Sequence, residues 1–311
     1  MMGPNLYQTQ STNVRKTWLL MAVFFALIVA VGWFASLYYG REIFYFALFF
    51  SLFMNIFSYW KSDKIVLRIS GAKPVKREEY FDLYNSVENL AITAGLPMPK
   101  VYIIDDPVPN AFATGRNKDH AVIAVTSGLL QILDKSELEG VIAHEMAHIG
   151  NKDILLQTIV VTLVGLVALL ADLFLRYSLF GGGRRGGNRG GGNAQYILMI
   201  IGFVFVILSP IVATMIQLTI SRKREYLADA TGALLTRYPD GLAKALEKIQ
   251  NYSGKMKNAN HAMAHLYIAD PYAKNLSRSG GISKKPGFWS RMFMTHPPTE
   301  DRIAKLREKK F

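Results

Sequence analysis

Residues 144–148 read His-Glu-Met-Ala-His, and in this chain of 311 residues they are the stretch whose types and spacing most directly spell out a reaction. The pattern is that of zinc hydrolases, H-E-x-x-H. On a helix, His144 and His148 stand one turn apart on the same face. Both imidazoles can therefore reach one zinc ion at about 2.0–2.1 Å. Glu145 follows the first histidine and projects to the side, where its carboxylate can take a proton from water activated by the ion. The chain has no cysteine, which excludes disulfides and thiolate metal sites. Any zinc must then be held by His, Asp or Glu.

Two histidines leave a catalytic zinc one protein ligand short. The candidates are Asp153, Glu225, Asp229, His261, His265 and His296. Asp153 follows His148 too closely to serve as a ligand. Glu225 and Asp229 are one helical turn apart, so one can bind the metal while the other orients a ligating histidine. Their Glu-x-x-x-Asp spacing is that of gluzincin metalloproteases. His261-Ala-Met-Ala-His265 repeats the histidine spacing without a glutamate base, which makes it a poorer second site.

These side chains need elements to hold them. Ser136-Glu-Leu-Glu139 reads as a capping box. Leu138, Val141, Ile142, Met146 and Ile149 continue at helical spacing, and Gly150 is a plausible stop. Residues 74–135 read as a small α/β segment: an amphipathic helix over 76–94 and strands at 101–105 and 121–125. Between the strands, residues 108–114 read as an edge strand, closed by a turn at 115–119. An edge strand can pair with an extended peptide. Asn110, Ala111, Phe112 and Ala113 are thus candidate substrate contacts, with Asn110 able to add a side-chain hydrogen bond. Downstream, helices are expected from 221 toward 235, over 240–251, and from a cap at Thr299.

Half of the residues are hydrophobic. Four stretches approach the length of about 20 residues that crosses a bilayer: 17–39, 43–60, 154–175 and 196–220. The first two are separated only by Gly40-Arg-Glu42 and form a hairpin. The first span lacks a small-residue cleavage site and reads as an anchor. Lysines and arginines near the span ends number fourteen on the side of the termini and of His144, and five on the other (Arg41, Arg176, Arg184, Arg185 and Arg189). The positive-inside rule then puts the H-E-x-x-H segment in the cytoplasm. The net charge of +13 is spread beside apolar spans, which fits attraction to anionic lipid rather than to nucleic acid. Residues 181–193 are mostly glycine with arginine and read as a linker.

The organisation expected is a transmembrane hairpin (1–60), a first protease segment (61–153), a second hairpin (154–220) and a second protease segment (221–311). His148 lies six residues before the third span and Glu225 five after the fourth, so both ligands fall within roughly 10 Å of the apolar segments.

Taken together, Asn110-Ala-Phe-Ala-Thr-Gly115, His144-Glu-Met-Ala-His148, Arg224-Glu-Tyr-Leu-Ala-Asp229, Ala264-His-Leu-Tyr-Ile268 and Thr295-His-Pro-Pro-Thr299 occur in one order behind paired N-terminal spans. In this the chain resembles the HtpX heat-shock membrane metalloproteases, relatives of the CAAX prenyl endopeptidases. The resemblance implies a mostly α membrane protein with a gluzincin-like α+β zinc protease domain and four transmembrane helices. It implies a zinc endopeptidase of the cell membrane that acts on misfolded membrane proteins, with its catalytic domain cytoplasmic. It implies one zinc per chain on His144, His148 and Glu225, with Glu145 as base and Asp229 behind the ligands. It also places His296 near the site, where the ring can stabilise an oxyanion, with Arg302 as a second candidate beside substrate. A non-catalytic zinc-binding scaffold is the competing reading, and the intact Glu145 argues against it. A site-2-type intramembrane protease is disfavoured, because the motif precedes a span and the Asp-Gly partner motif is absent.

Overall fold

A computed structural model describes residues 6–180, 221–252, 254, 256–257, 263–269, 271 and 297–308. Helices α1 (Leu6–Tyr39) and α2 (Arg41–Ser70) form the N-terminal hairpin. Gly40 joins them at φ 100°, a conformation that favours glycine. Both helices are long and apolar enough to cross a membrane.

The faces of α2 are inverted relative to a helix of a soluble protein. Phe46, Phe49, Phe53 and Trp60 are exposed along one side. Ala47, Ser51, Asn55, Ser58 and Ser62 are buried on the other. Small and polar residues face the helix neighbours while aromatic rings face out, which is stable only where the surroundings are apolar. The helix also outruns the span expected over 43–60. Its last turns bury Val66 and Leu67 in the protein before Gly71 closes it in a left-handed cap.

Helix α3 (Phe81–Ala94) starts five residues later than the periodicity predicts. A four-stranded mixed sheet follows, made of β1 (Lys73–Pro74), β2 (Lys100–Ile104), β3 (Ala111–Thr114) and β4 (Val122–Thr126). The strand order is β1-β2-β4-β3, with β2 and β4 parallel and the other pairs antiparallel. β3 is therefore an edge strand, as expected. Short α4 (Ser127–Ile132) leads into α5 (Lys135–Gly150), which carries the H-E-x-x-H motif. The capping box of α5 is formed by Asp134 and Glu137, two positions before the Ser136 and Glu139 of the sequence reading. Asp134 supplies the stronger cap because its carboxylate accepts from the Glu137 N–H while the Glu137 carboxylate accepts from the Asp134 N–H.

Helix α6 (Asp153–Phe180) coincides with the expected third span. Its first half is built into the protein. Leu156, Ile159, Val160 and Leu163 pack on Leu20, Met21 and Phe24 of α1. The expected fourth span and the glycine-rich linker lie outside the described residues. Helices α7 (Arg222–Thr236), α8 (Pro239–Asn251) and α9 (Thr299–Glu308) complete the described chain.

The main core joins α3, the sheet, α5 and α8 through residues such as Leu83, Val87, Ile123, Val141, Ile142, Leu242 and Leu246. Helix α5 is its centre, with His144, Glu145 and His148 all buried. Two glycines let helices touch it closely. A Cβ at Gly140 would lie 2.6 Å from the Leu242 nitrogen, and one at Gly232 would lie 2.9 Å from the His144 nitrogen. The second contact sets the distance between α5 and α7, the two helices that carry the candidate ligands. Gly232→Ala is expected to push them apart and to cost about 1–3 kcal/mol, the usual price of overpacking. A lower unfolding temperature in detergent together with weakened metal binding would report that separation.

Candidate metal centre

Helix α5 presents His144 and His148 from one face, and their rings meet edge to face. Helix α7 brings Glu225 opposite them. The ligand atoms of His144, His148 and Glu225 lie within 4.8 Å of one another, and all three residues are buried. The separations are 3.2 Å between the two Nε2 atoms, 3.6 Å from His148 Nε2 to Glu225 Oε1, and 3.9 Å from His144 Nε2 to Glu225 Oε2. For bonds of about 2.0–2.1 Å to a tetrahedral ion, ligand atoms stand about 3.3 Å apart. The observed values bracket that distance.

The other ring nitrogens decide the tautomers. His148 Nδ1 donates to Asp153 Oδ2 at 2.9 Å. His144 Nδ1 stands 2.9 Å from Asp229 Oδ1. With both Nδ1 atoms committed as donors, both Nε2 atoms turn lone pairs toward the Glu225 carboxylate. Three acceptors converge in a buried space, with the Arg302 guanidinium at their edge, 3.5 Å from His144 Nε2 and 3.9 Å from Glu225 Oε2. The donor set fits a metal ion.

Two of these roles were legible as a pair and are now distinguished. Glu225 joins the ligand group, while Asp229 stands behind His144. Asp229 is itself held by Arg302, whose Nη2 and Nε donate to Oδ1 and Oδ2 at 2.6 and 2.9 Å. Arg302, a candidate beside substrate, is 1% exposed, and its Nη1 donates to the Ile268 carbonyl. Its guanidinium is paired with Asp229 and also stands 3.4 Å from His144 Nδ1 and 3.9 Å from Glu225 Oε2.

Asp153 was set aside as a ligand, and it is outside the ligand group. Its role as the His148 partner went unread. Lys152 adopts φ 58° between α5 and α6, and this turn folds the Asp153 side chain back onto the preceding helix. Spacing alone carries no such signal, because a straight helix would point Asp153 elsewhere.

Burial governs the titration of the metal-free site. It drives His144 down to about 4. For His148 burial works in the same direction, but the Asp153 bond and the Glu225 charge outweigh it and push the ring up to about 9. Burial raises Glu145 to about 7 against the pull of His148. Burial also opposes ionisation of Asp229, yet Arg302 and His144 hold it down to about 2.

The candidate substrate contacts sit on β3. Outward-facing groups of this strand are partly engaged: the Ala113 N–H is turned to Glu145, and Ala111 O accepts from Ile268 N at 2.9 Å. Asn110 donates through Nδ2 to Ala269 O at 2.9 Å, and Phe112 meets Tyr267 edge to face. Residues 266–269 therefore run along the first part of the edge. His265, just before that segment, is buried. His261 and His296 lie outside the described residues.

A buried pair of histidines from one helix, a glutamate from a second helix and an acid beside the first ligand define a metal-dependent hydrolase of the H-E-x-x-H kind. The model of peptidase family M48 matches residues 78–310. A protease HtpX homolog of Caldanaerobacter subterraneus subsp. tengcongensis is 46% identical over 306 residues, covering 97% of both chains. A protease HtpX homolog of Tropheryma whipplei strain Twist is 45% identical, covering 97% of this chain and 98% of its own. The solved structure of S. mikatae Ste24p overlaps 96% of this chain and 67% of its own, with a TM-score of 0.49 and 20% identity. The chain belongs to peptidase family M48. With its two candidate membrane helices and its ligand group, it is a membrane metallopeptidase.

Asp153→Ala is expected to weaken metal affinity by roughly 10–100-fold, the usual effect of losing a partner behind a ligating histidine; a chelator-competition titration measures it. The proton on His148 gives a second expectation. Its folded-state value near 9 means that metal must displace a bound proton at any pH below that value. Affinity should rise with pH up to about 9, and binding near pH 7.5 should release about one proton. Titration calorimetry in buffers of different ionisation enthalpy counts it.

Proposed function

We propose that the chain is a zinc-dependent endopeptidase of membrane-protein quality control, acting on misfolded or damaged membrane proteins under stress. The observation that carries the reading is the convergence of His144, His148 and Glu225 with Glu145 buried on the same helix. Two nitrogen donors and one carboxylate oxygen would suit zinc. When bound, zinc would supply a Lewis acid that acidifies water and polarises a carbonyl.

The remaining chemistry belongs to the chain. Glu145 accepts the proton of the attacking water and returns it to the leaving amine. Asp229 and Asp153 hold the two imidazoles in the ligating tautomer. Strand addition of an extended substrate at β3, which would read little side-chain sequence and so suit varied clients, requires residues 266–269 to give way, because β3 is buried and Ala111 O already accepts from Ile268 N. His296 is assigned to stabilising the oxyanion.

The inverted faces of α2 and the burial of α6 against α1 support a site held at the membrane surface. The charge asymmetry supports a cytoplasmic catalytic domain. Other M48 members of this length are named protease HtpX homologs, in keeping with a stress-linked role.

Glu145→Gln should keep its metal and its fold while losing roughly 10²–10⁴-fold of its proteolytic rate. The test is digestion of a model membrane substrate by zinc-loaded wild-type and variant protein in detergent. Undiminished cleavage by the variant would remove Glu145 from this role.

A further inference from the structure

The N-terminal helix does more than lie beside the protease domain. Ahead of its apolar stretch, α1 places Asn13 in contact with the residues behind the metal centre. Asn13 is buried at 2% exposure. Its Nδ2 donates to Asp153 Oδ1 at 2.6 Å and stands 3.2 Å from the Asn151 carbonyl. Its Oδ1 accepts from Arg224 Nη1 at 3.1 Å. One turn earlier, Gln10 Nε2 donates to the Gly150 carbonyl at 2.7 Å. The end of α5 is thus docked on α1 through two amides.

We propose that Asn13 is a positioning residue of the metal centre, acting through Asp153 on His148. The argument follows the hydrogen bonds outward. Asp153 is fully buried and spends Oδ2 on His148 Nδ1. A buried carboxylate needs its second oxygen satisfied as well. Asn13 supplies the donor that does so, and the Arg224 guanidinium stands farther off, with Nε 3.8 Å from the same oxygen. With both oxygens fixed, the carboxylate plane is fixed, and the His148 ring with it.

The same amide also grips the other ligand arm. Arg224 is the neighbour of Glu225 at the start of α7. Asn13 therefore links the residue behind one ligand to the residue beside another, across sequence separations of 140 and 211 positions. An apolar residue of the same size would fill the space and lose both bonds.

The proposal rests on the reading of His144, His148 and Glu225 as a metal site, and the experiment separates the two. Metal affinity is measured by chelator competition on the full chain in lipid nanodiscs, with the visible spectrum of the cobalt-loaded protein as a second readout. Asn13→Ala should weaken affinity by roughly tenfold, the lower edge of effects from outer partners, and should alter the cobalt bands. Asn13→Asp keeps the size and can still pair with Arg224, but it replaces the donor with a second carboxylate. It should bind metal at least as poorly, and it decides the matter where Asn13→Ala does not fold. Arg15→Ala, on the exposed side of the same turn, should bind as wild type. On an Asp153→Asn background, Asn13→Ala should cost little more. Wild-type affinity and spectra in both Asn13 variants would overturn the proposal, as would an equal cost of Asn13→Ala on both backgrounds. Wild-type affinity in His148→Ala would instead overturn the metal-site reading itself.

Discussion

Everything in this protein answers to one electrostatic constraint: two neutral imidazoles and a carboxylate must aim their lone pairs at one buried point. None of the three can hold that aim alone. Each histidine is fixed by a carboxylate at its far nitrogen, Asp229 for His144 and Asp153 for His148. Each of those carboxylates is buried and needs its own partners. Arg302 from the last described helix serves Asp229, and Asn13 from the first serves Asp153. The site thus draws on α1, α5, α6, α7 and α9, and the helices that surround α5 are there because its polar residues could not survive a looser setting.

The same burial shapes the empty site. Two ring nitrogens at 3.2 Å cannot both be charged. His144, His148 and Glu225 would hold a metal ion from the positions they already occupy. Close contacts at Gly140 and Gly232 keep the ligand-bearing helices from drifting apart.

Much of this was readable from the chain. The H-E-x-x-H helix, the Glu225 and Asp229 pair, the strand hairpin around β3 and the first two spans follow from local spacing, and local spacing is what a sequence displays. The errors were also local: a capping box placed at Ser136 rather than Asp134, and a start to α3 set too early. The substantial omissions were Asp153 and Asn13. The first depends on a left-handed turn at Lys152, which no residue preference announces. The second depends on two segments 140 positions apart meeting in space. A lone asparagine before an apolar run looks like part of a polar leader, and only the docked helix reveals its partner. Arg302 offers the converse case, since an arginine in a terminal helix reads as a surface cation until burial ties it to Asp229.

Helix α2 has one more consequence. Its 30 residues form an unbroken rod about 45 Å long, whereas the hydrocarbon layer is about 30 Å thick. At most about 15 Å of it can stand clear of the lipid, and β1 of the catalytic sheet begins three residues after its end. With α2 spanning the bilayer, the rod would act as a post of fixed height under the candidate site. An extended chain leaving the bilayer covers such a height in about five residues at 3.3 Å each. Where a client is cut would then be set by its distance from the membrane as much as by its side chains, and the enzyme would work as a ruler.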